Sequence, residues 1–348
     1  MNRAIQPHSI PSTMVLVSFL KVAAHAAWGS EARVIKMRFI CEQKEENIMS
    51  KVLRATLFLF VIVVGGQLLF SDISSASDSG SAGSDKIVQS GAILTVAESK
   101  RLIGKAVAQM PIVKNALANG LIIVIKGTTN AYVAEEIAGG KFDHAAFVTG
   151  RIEPEKGGKY LPKAKPVNHL ILEKGKVLDI SLEEAAKKLK RGDVVIKGAN
   201  ALDYKNKIAG VNILHPEGGT TGATMPIIVA RKAHLVIPVG LEKLVAGDLV
   251  DLTLKMREPM ETLSSPAGSW QTLFPGHNIP SMWLLTGEIV TELEAIKILT
   301  GATAFQASAG GVSGAEGSVW IVFRGTRDQV KKALELTKSI QGEPPYTE

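Results

Sequence analysis

Two stretches of this chain share one design. In "LIIVIKGTTNAYVAEEI", Leu121 to Ile137, and in "GDVVIKGANALD", Gly192 to Asp203, a β-branched apolar run ends in lysine, glycine and small residues. The first supplies Lys126, Gly127, Thr128, Thr129 and Asn130. The second supplies Lys197, Gly198, Ala199, Asn200 and, slightly later, Asp203. A third stretch, "HPEGGTTG", adds His215, Glu217, Gly218, Gly219, Thr220, Thr221 and Gly222. Glycine lets a backbone approach a ligand closely, and the N–H groups that open a helix bind anions. Lysine adds a point charge and threonine a hydroxyl. The chemistry these residues suit is recognition of a small anionic or polyhydroxylated molecule. Asp203 and Glu217 are the candidate proton-transfer groups. Each residue also has a plainer reading: Asp203 as a turn former, Glu217 and His215 as loop residues, Thr128 or Thr129 as a helix cap, and the lysines as strand-end surface cations.

The surrounding elements set where such loops sit. Leu102, Ile103, Ala106, Val107 and Met110 fall on one helical face, which Pro111 interrupts before a short second helix closed by Gly120. Leu121 to Ile125 and Val194 to Ile196 are continuous apolar runs, the pattern of strands buried on both sides. "HAAFVTG" is expected to be a further strand, "HLILEKGKVLDI" a hairpin turning at Lys-Gly, and Ser181 with Glu184 a capping box. "IAGVNIL" and "HLVIPVG" complete the strands, and the glycine-rich turn enters a helix with Pro226 expected in its first turn. Alternation of helices with buried strands predicts an α/β fold: an open, mostly parallel, Rossmann-like sheet with helices on both faces. Ligands of such sheets sit beyond the carboxyl ends of the strands.

Beyond a loop-rich, proline-bearing connection the pattern changes. "MWLLTGEIV", "TELEAIKILTG", "ATAFQASAGG", "GSVWIVFRG" and "TRDQVKKALELTKSIQ" read as β-α-β-β-α, a small ferredoxin-like α+β unit with its last two strands antiparallel. The glycines around Glu316 suit a tight hairpin connection, and Trp270, Trp283 and Trp320 are expected in the core. The domains expected are 91–257 for the α/β ligand-binding part, 258–280 for the connection and 281–348 for the α+β unit.

On three motifs the chain resembles the superfamily of ribose-5-phosphate isomerase, glucosamine-6-phosphate deaminase, the coenzyme A transferases and sugar-phosphate-responsive repressors. "IKGTTNAYVAEEI" is similar to its phosphate loop opening a helix. "DVVIKGANALD" is similar to its Gly-Ala-Asp/Asn strand end, with Asp203 in the acidic place. "EGGTTGATMPIIVARKAHLVIPVGLEKL" is similar to its glycine-rich turn, helix and strand. The resemblance covers Val96 to Leu244 and implies a sugar-phosphate or acyl-carrier type of site. It also places Glu242 and Lys243 at an acidic-then-lysine position, which read alone is a surface ion pair. The chain departs from the isomerases at Gly198-Ala199-Asn200-Ala201, where an acidic catalytic residue stands in the family, and at Met225-Pro226. The binding frame is expected to be kept while the acid/base set is altered. Three functions follow: a ligand-binding protein without turnover, an isomerase, deaminase or transferase with a rearranged acid/base set, or an oligomerising structural protein with empty loops.

Composition narrows the partners. The chain has 348 residues, 46% hydrophobic and 21% charged, enough to bury a core. Its net charge of +7 is spread among acidic neighbours with no basic stripe interleaved with aromatics, so nucleic acid is not an expected partner. One cysteine, Cys41, and seven unclustered histidines give no metal site, and no cofactor is expected. Near the start, Lys51 and Arg54 precede an apolar run from Ala55 to Phe70 and then Ser74 and Ala76. This has the three parts of a secretory signal, 49–76, followed by a flexible linker, 77–90. Cleavage near Ala76 would export the protein; uncleaved, the segment would anchor it to a membrane. Residues 1–48 are read as an extension ahead of the true start at Met49, which would remove Cys41. The expected partner is a small molecule, and a homo-oligomer is also open to the chain.

Overall fold

The structure, a computed structural model, describes residues 86–140, 142–149, 167–259 and 280–345. Its centre is a six-stranded sheet of short strands. Strands β1 (Val88–Leu94) and β2 (Leu121–Val124) come first, and only β2 joins this sheet. The hairpin β3 (Leu170–Glu173) and β4 (Lys176–Val177) lies at one edge. Then come β5 (Val194–Ile196), later β8 (His234–Pro238) and β10 (Glu288–Val290). The order is β10-β8-β5-β2-β3-β4, with the first four parallel and the hairpin antiparallel to β2. Every residue of β2 and β5 is buried. This is why their sequences are continuous rather than alternating. Each large aliphatic side chain so buried contributes roughly 1.5–3 kcal/mol. The hairpin turns at Lys174 and Gly175, both at positive φ, where the sequence places Lys-Gly.

The parallel strands end level. Val124 pairs with Ile196, Ile196 with Val236, and Pro238 with Val290. Lys126-Gly127, Lys197-Gly198, Val239-Gly240 and Thr291-Glu292 therefore emerge along one rim. At the opposite rim Asp193 holds the strands together, accepting from the N–H of Leu121 at 2.8 Å and of Lys190 at 2.6 Å.

Helices α1 (Val96–Gln109), α2 (Pro111–Asn119) and α3 (Thr128–Ala138) flank β2 in sequence. Helix α4 (Leu182–Lys188) precedes β5, α5 (Gly219–Arg231) precedes β8, and α6 (Leu249–Lys255) follows it. Last come α7 (Glu292–Thr300) and α8 (Arg327–Ser339). Helix α1 packs on α3 and α7, and α4 packs on α5. Helices α1, α4, α7 and α8 open with capping boxes, among them the expected Ser181 and Glu184. Helices α3 and α5 do not: they start from Gly127 and Gly218 with no side-chain cap.

Two small antiparallel sheets complete the chain. One joins β6 (Ala201–Asp203), β7 (Ile208–Ile213) and β9 (Ser281–Leu285). The other joins β1, β12 (Val319–Gly325) and β11 (Thr303–Ala309) in that order. The last two strands do pair antiparallel. Their third partner is β1, which starts inside the stretch read as linker. "MWLLTGEIV" is two strands, β9 and β10, that serve different sheets. Three pairings thus cross the interval 258–280, and the described residues gather as one unit.

Other local expectations are corrected. The described part of "HAAFVTG" is a turn. Asp143 accepts from the Ala146 N–H, Phe147 N–H bonds back to His144, and the Phe147 carbonyl takes the Gly127 N–H, so no ladder partner is left to seek. Pro226 lies deep inside α5, not in its first turn, because positive φ at Gly218 lets the helix begin at Gly219. Pro226 is exposed, so water can reach the carbonyl its ring deprives of a donor. Trp283 and Trp320 are 37% and 49% exposed, on the outer faces of the two small sheets rather than in the core. Trp270, residues 1–85 with the proposed signal, and most of the connection lie outside the described residues.

Candidate functional site

The rim of level strand ends gathers the three loops. Lys197 leaves β5 with its backbone N–H bonded to the Val236 carbonyl at 3.0 Å, which turns its side chain into the interior. Its residue exposure is 4%, and its Nζ donates to Thr220 Oγ1 at 2.9 Å. That bond joins the second loop to the third. The first loop joins through Asn130, fully buried in the first turn of α3. Its Nδ2 donates to the Ile125 carbonyl at 2.7 Å and the Ile196 carbonyl at 3.3 Å.

Several buried oxygens in this cluster have no hydrogen-bond partner: Thr129 Oγ1, Asn130 Oδ1, Thr221 Oγ1 and Glu242 Oε2. A buried polar atom left unpaired costs about 1–3 kcal/mol, so each calls for a reason. Thr129 does not cap α3 as expected; its hydroxyl is one of the unpaired atoms. The glycines fit the same pattern. A Cβ on Gly127 would meet nothing nearer than Asn130 Cβ at 3.9 Å. One on Gly198 would meet Asn130 Oδ1 and the Pro238 carbonyl, each at 3.7 Å. Neither residue has a backbone conformation reserved for glycine. No close contact or positive φ requires glycine at 127 or 198; both border Asn130, Gly198 at its unpaired oxygen and Gly127 at its Cβ. Gly218, Gly219 and Gly222 do have internal reasons: positive φ at the first two, and at the third a Cβ would overlap the Glu217 carbonyl.

A second group of charged residues adjoins. After β8, a short 3-10 turn, Leu241–Lys243, carries Glu242 and Lys243. Lys243 Nζ donates to the Ala199 carbonyl at 2.8 Å, tying this turn to the Lys197 loop. Glu242 folds back over Gly240, occupying the space a Cβ would need there. Glu292, at the first residue of α7, is fully buried and accepts from the Leu241 N–H at 3.0 Å. Lys100 comes from α1 and is also buried. Burial, and then the Glu242 carboxylate beside it, push the Glu292 carboxyl up to about 7. Burial lowers Lys243, against the pull of Glu242 and Glu292. Burial lowers Lys100 too, with Glu242 opposing and Lys243 reinforcing. Burial alone brings Lys197 down to about 8. At the outer side of the first loop, His169 accepts from the Lys126 N–H at 3.0 Å. Its own pKa falls to about 4 through burial and the nearby positive charges of Lys126 and Lys197.

Not every sequence candidate joins this cluster. Asp203 is buried but accepts from Asn206 through both oxygens, at 3.0 and 2.8 Å, closing the β6–β7 turn. Asn200 accepts from the Asn212 N–H at 3.0 Å and braces the same hairpin. Glu217 is exposed, its backbone N–H bonded to His215 Nδ1 at 3.2 Å. Lys126 reaches outward, its Nζ on the Val167 carbonyl at 2.8 Å. Lys100 and Glu292 were not singled out from sequence, although each has a signal. Lys100 shares its helical face with Ile103 and Val107, and Glu292 shares its own with Ala295 and Ile296. Trp283 packs its ring 3.2 Å from the Cβ position of Gly218, over the third loop.

A shallow cleft of about 300 Å³, lined by Met225, His234, Leu235 and Glu288 among others, lies at the amino ends of β8 and β10, away from this cluster. Its polar groups are half-exposed and two of them already pair, His234 Nδ1 with Glu288 at 2.9 Å. No group of residues suited to hold a metal ion occurs among the described residues. Compared with protein-family models, curated proteins and solved structures, the chain has no match in any of the three.

Proposed function

We propose that the chain is a ligand-binding protein whose strand-end rim holds a small anionic or polyhydroxylated molecule. The observation that carries this reading is the set of unpaired buried oxygens, Thr129 Oγ1, Asn130 Oδ1 and Thr221 Oγ1, in loops that adjoin Lys197, whose amine has no carboxylate partner among the described residues. Two uncapped helix starts, of α3 and α5, adjoin them and add anion-binding N–H groups. The placement suits a doubly wound, Rossmann-like sheet, and the reading keeps the binding frame of the isomerase, deaminase and transferase superfamily named above. Export through the segment 49–76 belongs to the same proposal. No helix among the described residues is long and apolar enough to cross a membrane, and the apolar run from Ala55 lies outside them.

An enzymatic reading of the same rim draws on the group formed by Lys100, Glu242, Lys243 and Glu292. Burial displaces Lys100, Lys243 and Glu292 from their ordinary pKa values, and groups so displaced are what proton transfer near neutral pH employs. It relocates the acid/base set from Asp203 and Glu217 to Lys100 on α1 and the residues after β8 and β10.

Thermal shifts of the purified protein against phosphosugars, nucleotides, coenzyme A esters, free sugars and inorganic phosphate test the binding reading. A stabilisation of several degrees that is lost in Thr129→Val and Thr221→Val places the ligand at the rim. Shifts that persist in both variants, or none at all, reject it. Turnover of the same ligand, lost in Glu242→Gln with binding kept, would select the enzymatic reading.

A further inference from the structure

We propose that Lys197 is a carbonyl-reactive amine, which condenses at the strand-end rim with an anion carrying an aldehyde or ketone to form an imine. The inference rests on the anion-binding reading above for how the carbonyl compound is held, and adds a covalent step to it.

The geometry separates Lys197 from the other lysines of the rim. Lys100 and Lys243 feel the carboxylate of Glu242. Lys126 reaches a backbone carbonyl at the surface. Lys197 is 4% exposed, and its Nζ meets a neutral hydroxyl, Thr220 Oγ1, with no carboxylate among the described residues to pair with it. An ammonium so placed has one good acceptor for three donors, and a buried cation without a counter-charge is costly. A neutral amine with a lone pair suits the position better. Burial is what disfavours its charged form, so more of it stands as the free amine near neutral pH than of an exposed lysine. The lowered pKa agrees with this placement. Desolvated lysines of this kind are nucleophiles toward carbonyl carbon.

The step balances without a co-reactant. The nitrogen lone pair forms the new C–N bond, and the carbonyl π pair becomes a hydroxyl by taking a proton from the amine. That hydroxyl leaves as water with the second amine proton, and the imine remains. Asn130 helps define the partner. Its Nδ2 is committed to two backbone carbonyls, so its orientation is fixed and its free Oδ1 can only accept. It suits the O–H of the intermediate carbinolamine or a hydroxyl beside the carbonyl. The threonine hydroxyls and the helix starts serve the anionic end.

The full chain would be incubated at pH 7.5 with glyceraldehyde 3-phosphate, or with pyridoxal 5′-phosphate, then reduced with borohydride and mapped by peptide mass spectrometry. The expected result is a reduced adduct on Lys197, formed roughly tenfold or more faster than on any exposed lysine, and slowed by inorganic phosphate. Lys197→Arg, which keeps the charge but cannot form the imine, should lose that adduct while circular dichroism shows it folded. Labelling confined to exposed lysines overturns the proposal. If phosphate still stabilises the protein in that case, the anion-binding reading survives alone. If Lys197 is labelled by a carbonyl compound without an anionic group as fast as by these two, the imine stands and the anion-binding reading falls.

Discussion

Asn130 Nδ2 donates to the carbonyl of Ile196 at 3.3 Å while holding that of Ile125 at 2.7 Å, so one amide in the first turn of α3 closes the ends of two neighbouring strands. This is a structural duty, and it leaves Oδ1 unpaired and fully buried. Asn130→Ala should lose about 2–3 kcal/mol, because the Ile125 carbonyl loses its amide donor, the Ile196 carbonyl keeps only the Ile125 N–H, and a small cavity opens. Asn130→Asp should lose more, since a carboxylate cannot donate to either carbonyl and would be a buried, unpaired charge. Urea denaturation of the three proteins at neutral pH checks the order.

The glycines of the loops divide into two classes, and substitution should separate them. Gly127→Ala and Gly198→Ala meet no backbone or side-chain atom closer than 3.7 Å. Their stability should stay within about 0.5 kcal/mol of the parent. Ligand binding at the rim should nevertheless fall, because the methyl added at Gly198 fills the approach to Asn130 Oδ1 and the methyl added at Gly127 fills the space at the start of α3. Gly222→Ala places its methyl on the Glu217 carbonyl and should distort the third loop, costing several degrees in melting temperature. Gly127→Ala or Gly198→Ala proteins that are markedly unstable would show that the fold itself, rather than a ligand, demands those glycines.

Lys197 should leave a signature in the pH dependence of stability. Its ordinary value of 10.5 is lowered to about 8 in the folded chain by burial. Between these values the unfolded state binds more protons than the folded state, so stability gains from Lys197 as pH rises through this window. Below pH 8 the burial penalty is present in full, on the order of 3 kcal/mol. Lys197→Met should thus be more stable than the parent at pH 7, with the difference shrinking between pH 8 and 10.5. Comparing the two proteins cancels the contributions of Lys100 and Lys243, which are lowered in the same direction. A difference that stays flat across this range would show that Lys197 titrates normally.

The parallel strands were legible because burial on both faces leaves a mark that needs no tertiary information. "LIIV" and "VVI" have no polar residue to alternate with. Lysine-glycine after each located the rim for the same reason. β1 was hidden because "VQSGAIL" borrows its ladder from β12, far along the chain, and Gly91 lies where Trp320 crosses it. Asp203 and Glu217 carried the right chemistry in the right loops, but turn hydrogen bonds and exposure claim them locally. Lys100, Glu242, Lys243 and Glu292 meet only when α1, the turn after β8 and the start of α7 converge. Spacing within any one segment cannot report that meeting. Polar residues on otherwise apolar helical faces are its one local trace, at Lys100 and at Glu292.

Glu292 offers the opposite pH test. Its carboxyl, ordinarily near 4.5, is raised to about 7 by burial and then by the Glu242 carboxylate. Between those values the folded state holds the proton that the unfolded state has released, so stability falls as pH rises through this window. The loss is on the order of 2–3 kcal/mol by pH 7. Glu292→Gln keeps an acceptor for the Leu241 N–H and has nothing to ionise. It should match the parent near pH 4.5 and exceed it progressively toward pH 7, in urea denaturation at closely spaced pH values. Removing Glu242 as Glu242→Gln takes away the neighbouring negative charge. The folded pKa of Glu292 should then fall part of the way back toward 4.5, because burial is the larger cause and repulsion the second, so the decline should end at lower pH and be smaller than in the parent. Its onset, set by the unfolded chain, should stay near pH 4.5 in both proteins. A decline unmoved by Glu242→Gln would separate the two carboxyls and remove Glu242 from the acid/base group of the rim.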